Sequence, residues 1–255
     1  MEHLYSQEEW QLRRELAACY RLIAHYRMTD LISTHISVRL PGPEHHFLIN
    51  PYGLFFEEIT ASNLLKIDLD GNKVQASDYP VNPAGFVIHS AIHRAREDAQ
   101  CVLHTHTKAG CAVAAQEGGL LPVNQISLEF YGRVAYHDYE GIALNFSEQQ
   151  RLVADLNDKS VMILRNHGLL TVGDSVKQAF LRMYYLEKAC EIQLAAQAGG
   201  TLRLPSDEVC RRTERQFNEP GKNVPAGELS DPDFVQFSWA ALLRLLDRVA
   251  PDYKL

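Results

Sequence analysis

The sequence predicts one α/β domain, residues 1–255, with residues 205–255 as a helical C-terminal tail. Two observations carry this: helical and strand periodicities alternate along the chain, and no repeat, low-complexity tract or convincing linker divides it. The loosest stretch is 218–225, Asn-Glu-Pro-Gly-Lys-Asn-Val-Pro.

Residues 7–26 place Trp10, Leu12, Leu16, Cys19, Tyr20 and Ile23 at three- and four-residue spacing behind the acidic pair Glu8-Glu9, so they read as an amphipathic helix. Residues 35–40 and 46–50 have β character and are parted by Pro41-Gly42-Pro43, which makes a hairpin. Ile67-Asp68-Leu69 before Asp70-Gly71-Asn72 suggests a further strand and tight turn. A helical pattern over 85–97 leads into the alternating strand 101–106 and then an Ala-rich helix over 108–116. A helix over 147–156 precedes the apolar run 161–164, which has the character of a strand buried on both faces. Asn166-His167-Gly168 interrupts it and 169–172 resumes it. The helix over 175–198 ends at Gly199-Gly200, and helices near 207–217 and 231–249 complete the chain.

Composition narrows the function classes. The chain has 46% hydrophobic and 22% charged residues, as ordinary globular proteins do. Its net charge of −7 argues against a nucleic-acid-binding surface. No apolar run reaches the roughly 18 to 20 residues that span a bilayer, and the first nine residues lack the basic-then-apolar pattern of a signal peptide, so a cytoplasmic protein without a membrane partner is expected. The five cysteines are scattered without a C-x-x-C pair and read as reduced thiols.

The histidines carry the chemistry. His104 and His106 stand at i and i+2 of a strand, on one face, at the end of an apolar run where α/β proteins place active sites. His167 ends the other strongly apolar strand, just before a glycine. Three imidazoles with an open position are a catalytic zinc arrangement, and the same set could bind Fe(II), which leaves an Fe(II)-dependent oxygenase as an alternative. His89 and His93 have the i,i+4 spacing of a zincin pair, but Ser90 replaces the glutamate that zincins need, so they read as structural or supporting residues. His45-His46 reads as a solvated turn. Serine-hydrolase, P-loop and dinucleotide signatures are lacking.

From Leu16 to Gly199 the sequence resembles the class II aldolase and adducin family. The strongest blocks are Gly85-Phe-Val-Ile-His-Ser-Ala-Ile-His93, Val102-Leu-His-Thr-His-Thr107 and Ile163-Leu-Arg-Asn-His-Gly-Leu169; Asn50-Pro-Tyr-Gly-Leu54, Glu58-Ile-Thr-Ala-Ser62 and Val134-Ala-Tyr-His-Asp-Tyr139 are most similar to the adducin branch. The resemblance implies a three-layer α/β/α fold with a central, largely antiparallel sheet, assembled as a homotetramer with active sites at subunit interfaces. It implies one divalent metal per chain on His104, His106 and His167, zinc before iron, manganese or cobalt, stabilising an enediolate of a small-molecule substrate. His35, Ser37, Asn50 and Gly53 fall where substrate contacts are expected.

Two departures bear on mechanism. Gly85 stands where the aldolases have their catalytic glutamate, and Pro83-Ala84 where they have two phosphate-binding serines, so neither role transfers to these residues. His35 stands where many members have asparagine, to serve an anionic group or to pack. Glu129, resembling a dehydratase-branch glutamate, is the candidate replacement acid/base; Tyr131 is a weaker one, and Tyr253 matches the aldolase tyrosine only loosely. The expected function is an aldolase-like metal-dependent lyase acting on a small hydroxy-carbonyl or keto-acid compound, without dependence on a terminal phosphate. A non-enzymatic interaction module like the adducin head is the other reading.

Overall fold

A computed structural model describes residues 4–142, 147–218 and 231–255. Of the loose stretch 218–225, all but Asn218 lies outside the described residues.

The chain begins with α1 (Gln7–His25), whose N-terminal amides are capped by Ser6: its hydroxyl accepts from the Glu9 amide at 3.1 Å. Strands β1 (His35–Arg39), β2 (Phe47–Ile49) and β3 (Leu65–Ile67) follow, then α2 (Pro83–Ala95), β4 (Cys101–Thr105), α3 (Lys108–Ala114) and the single turn α4 (Gln125–Leu128). Next come β5 (Val134–His137), α5 (Glu148–Leu156), β6 (Val161–Leu164), β7 (Gly168–Gly173), α6 (Val176–Ala198), α7 (Asp207–Asn218) and α8 (Asp231–Val249).

The strands form one seven-stranded sheet in the order β3-β2-β1-β4-β7-β6-β5. Neighbours pair antiparallel except β5 and β6, which are parallel, so the sheet is mixed and largely antiparallel. Alternation along β4, β6 and β7 divides the core. Leu103, Ile163 and Leu169 face α1, α3, α6 and α8, whereas Val102, Met162, Leu164, Leu170 and Val172 face Ile88 and Ile92 of α2 and Leu152 and Leu156 of α5. Helices therefore cover both faces, giving the three-layer arrangement expected.

Three readings are corrected. The third strand lies two residues earlier than expected, at Leu65–Ile67, because Asp68 already belongs to the turn: its carboxylate accepts from the Asp70 and Asn72 amides at 2.9 Å each. Residues 169–172 do not resume the preceding strand; the chain reverses at Asn166, whose φ is +55°, and β7 pairs antiparallel to β6. Strand β5 and the turn α4 were not anticipated. β5 is four residues long with its alternate positions half-buried, too short to stand out from a loop.

Candidate metal centre

Register builds the site. His104 on β4 is paired with His35 on β1 and with Leu170 on β7, so His35, Ser37, Val102 and His104 lie on the α2 side of the sheet. His106 follows β4 by one residue, and His167 stands between the end of β6 and the start of β7, at the same end of the sheet. Gly168 is required there: a Cβ on it would run into the Thr105 carbonyl oxygen. The His167 amide donates to the Leu164 carbonyl at 3.1 Å and the Cys111 thiol to the His167 carbonyl at 2.9 Å, which fixes the turn.

The three imidazoles converge. His106 Nε2 lies 2.8 Å from both His104 Nε2 and His167 Nε2, and the prospective ligand atoms fall within 4.8 Å of one another. Their outer nitrogens reveal the protonation pattern. His104 Nδ1 is 2.8 Å from the Leu169 carbonyl oxygen and His106 Nδ1 is 3.0 Å from the Asp30 carboxylate; both oxygens can only accept, so each Nδ1 carries the proton. A neutral imidazole then leaves Nε2 bare, and two bare lone pairs 2.8 Å apart repel unless a cation lies between them. Burial, and then the neighbouring imidazoles, hold His104 well below its ordinary range; the same causes push His167 down to about 4. Three convergent imidazole nitrogens, with the outer nitrogens of His104 and His106 held by acceptors, fit a divalent metal, with zinc, iron, manganese and cobalt all compatible with imidazole ligands.

Asp30 is a site residue that the sequence reading missed. It lies in the loop after α1, 46% of its side chain exposed, and the next residue, Leu31, takes a left-handed φ of +46°. Its distance of 76 residues from His106 left no sequence signal.

His35 is buried beside the triad, its ring centroid 5.2 Å from that of His104. Ser37 lies beneath it, fully buried, with Oγ 2.6 Å from His89 Nδ1 and 2.7 Å from His93 Nε2. Asn50 is fully buried and tied to Tyr20, whose hydroxyl lies 2.9 Å from Asn50 Oδ1, so it holds β2 to α1; its Nδ2 has no partner among the described residues. Gly53 lies exposed in the turn after β2 with φ +110°.

Glu129 and Tyr131 are not brought to the triad within the chain. Glu129 ends α4 and lines a cavity of about 220 Å³ with Asp158, Lys159, Val161 and Arg182, at the start of β6, whereas His167 follows its end. The Tyr131 hydroxyl donates to Asp207 at 2.6 Å on the surface, and Asp207 raises the phenol's pKa. Tyr253 is buried under α1 with its hydroxyl 3.3 Å from Asp247.

The profile of the Class II Aldolase and Adducin N-terminal domain matches residues 14–194. The chain belongs to the class II aldolase and adducin family. An aldolase II superfamily protein from Pseudomonas syringae superposes with a TM-score of 0.92 at 54% identity, covering 100% of this chain and 99% of that one. An L-fuculose 1-phosphate aldolase from Glaciozyma antarctica PI12 superposes with a TM-score of 0.81 at 31% identity, over 96% and 92% of the two chains. Alpha-adducin of Rattus norvegicus is 42% identical over 96% of this chain, but the match spans only 34% of that protein. The family's fold is thus that of the class II aldolases, and no helix among the described residues is long and apolar enough to cross a membrane.

Proposed function

We propose that this family member is an aldolase-like lyase dependent on one divalent metal, zinc first, acting on a small hydroxy-carbonyl or sugar-derived compound. The observation that carries the reading is the 2.8 Å approach of His104 and His106 through nitrogens whose protons are already placed elsewhere. A divalent ion held by His104, His106 and His167 would supply Lewis-acid stabilisation of an enediolate-type charge. The chain's own residues contribute orientation: Leu169 and Asp30 fix two ligand rings, and Gly168 lets the third approach.

Neither Gly85 nor the Pro83-Ala84 stretch offers the carboxylate or hydroxyls of the sugar-phosphate enzymes, which favours substrates without a terminal phosphate. In this reading Glu129 and Tyr131 act, if they act on the same substrate, from a neighbouring subunit of a tetramer, since in their own chain they stand at the far end of β6. A cytoplasmic location accompanies the proposal.

Two observations favour a second reading. The absence of a carboxylate at position 85, together with the likeness to alpha-adducin, suits an interaction module without catalysis. Elemental analysis of protein purified without chelators or a histidine tag, alongside His104→Ala, decides between them. About one zinc, manganese or iron per chain, lost in the variant, supports the enzyme, and iron would turn attention to oxygen chemistry. A protein that takes up no ion after each is added back would give the module first place.

A further inference from the structure

We infer that His35 reads a substrate hydroxyl: its Nε2 is a fixed hydrogen-bond acceptor beside His104, set by a buried hydrogen-bond chain that begins at the Ala99 carbonyl. The inference deepens the proposed small-molecule function and rests on it for the identity of the ligand, while the tautomer of neutral His35 rests on the hydrogen-bond geometry.

The chain can be followed proton by proton. His93 Nδ1 is 3.0 Å from the Ala99 carbonyl oxygen, which can only accept, so Nδ1 carries the proton and Nε2 is bare. Ser37 Oγ, 2.7 Å from that bare Nε2, must donate to it. A hydroxyl has one proton, so at its other contact, 2.6 Å from His89 Nδ1, it can only accept, and His89 carries its proton on Nδ1. His89 Nε2 is then bare and accepts from His35 Nδ1 at 2.7 Å. The last imidazole is left with a bare Nε2, and among the described residues no protein group is bonded to that atom. Each tautomer is assigned by its neighbour, and the direction of the whole chain follows from one carbonyl.

All four side chains are at most 2% exposed, and α2 and β1 clamp them between helix and sheet. Burial holds His89 well below the ordinary imidazole range, with the imidazoles around it adding to it. Burial and then the Arg39 guanidinium push His93 down to about 3. The neutral rings from which the proton count starts are therefore the state the surroundings favour at His89 and His93.

The chemistry of the ligand follows. A neutral nitrogen lone pair accepts from O–H or N–H and repels a carboxylate or phosphate oxygen. His35 therefore selects a hydroxyl near the metal-binding carbonyl, favouring hydroxy-carbonyl compounds over keto acids. Ser37, His89 and His93 touch no ligand in this scheme; they are positioning residues that act through the tautomer of His35.

Nitrogen NMR of histidine-labelled, zinc-loaded protein reads the tautomer directly, with the His35 signals identified by their loss in His35→Gln. The expected result is a protonated Nδ1 and a bare Nε2 at His35, with Ser37→Ala shifting His35 toward the opposite tautomer at unchanged zinc content. A protonated Nε2 in the wild-type protein overturns the inference. Titration with hydroxyacetone and pyruvate supplies the ligand arm: His35→Phe should weaken hydroxyacetone about tenfold and pyruvate far less. Equal weakening of both overturns the selectivity. Failure to bind zinc would instead count against the metal-dependent reading, and the tautomer would still be measurable.

Discussion

His35 occupies the space that a side chain at Gly85 would need. A Cβ built on Gly85 would lie 2.6 Å from His35 Cδ2 and 2.8 Å from its Cγ, closer than packed atoms approach. The ring of His35 therefore fits only because helix α2 carries no side chain at residue 85.

Gly85→Ala should consequently destabilise the protein by about 1–3 kcal/mol, although alanine is the better helix former by about 1 kcal/mol. In the His35→Ala background the same substitution should be neutral or stabilising. Denaturant unfolding of the two single variants and the double variant measures the coupling, expected at about 1–3 kcal/mol. Additive effects would mean that the ring moves aside freely.

Asp30→Asn should weaken metal binding by about 10- to 100-fold, because the His106 ring loses the carboxylate that holds its Nδ1 proton. Asparagine preserves shape and a neutral acceptor, so the fold should survive. Competition against a chelator gives the affinity; an unchanged value would assign Asp30 to loop structure only.

Acid should weaken the fold before the carboxylates titrate. His93 has its pKa pushed down to about 3 from an ordinary 6.5, so below pH 6.5 the unfolded chain takes up a proton that the folded chain refuses. Its stabilising contribution is complete above 6.5 and is lost progressively as pH falls toward 3. Each such histidine contributes a slope approaching 1.4 kcal/mol per pH unit within that window. Between pH 6.5 and about 5, where carboxylates stay ionised, urea unfolding of wild type and His93→Gln separates this slope from acid loss of ion pairs. The variant, less stable at neutral pH, should show the shallower dependence; identical slopes would exclude His93 as a source.

The triad was legible in the sequence because its signals are local. His104 and His106 share a strand face by the period of two, and His167 adjoins a glycine after an apolar run. The surroundings were not legible, since they are tertiary. Asp30 reaches His106 from a loop that no periodicity marks, and the roles of His89 and His93 depend on Ser37, across a helix–sheet contact. The reversal into β7 was misread because β6 and β7 are both apolar and a hairpin between buried strands looks like one interrupted strand. The resemblance that singles out Glu129 rests on a dehydratase-branch glutamate at a similar distance beyond His-Thr-His, a criterion blind to which end of the sheet the intervening segment reaches.

The position of Glu129 gives a test of assembly. If Glu129 serves a triad, it does so in a neighbouring subunit, because its own chain places it beyond the start of β6 while the triad lies beyond the end. His104→Ala removes a ligand but keeps a normal Glu129; Glu129→Gln keeps the metal but removes the acid. Deuterium exchange into the hydroxymethyl group of hydroxyacetone, followed by proton NMR, reports proton removal next to a carbonyl without requiring the natural substrate. Each variant alone should fail to catalyse exchange, while co-expressed mixed assemblies should recover part of it, since some interfaces then pair an intact triad with an intact carboxylate. Mixed assemblies that stay inactive would remove the trans role, and exchange at the wild-type rate by Glu129→Gln alone would remove Glu129 from the chemistry.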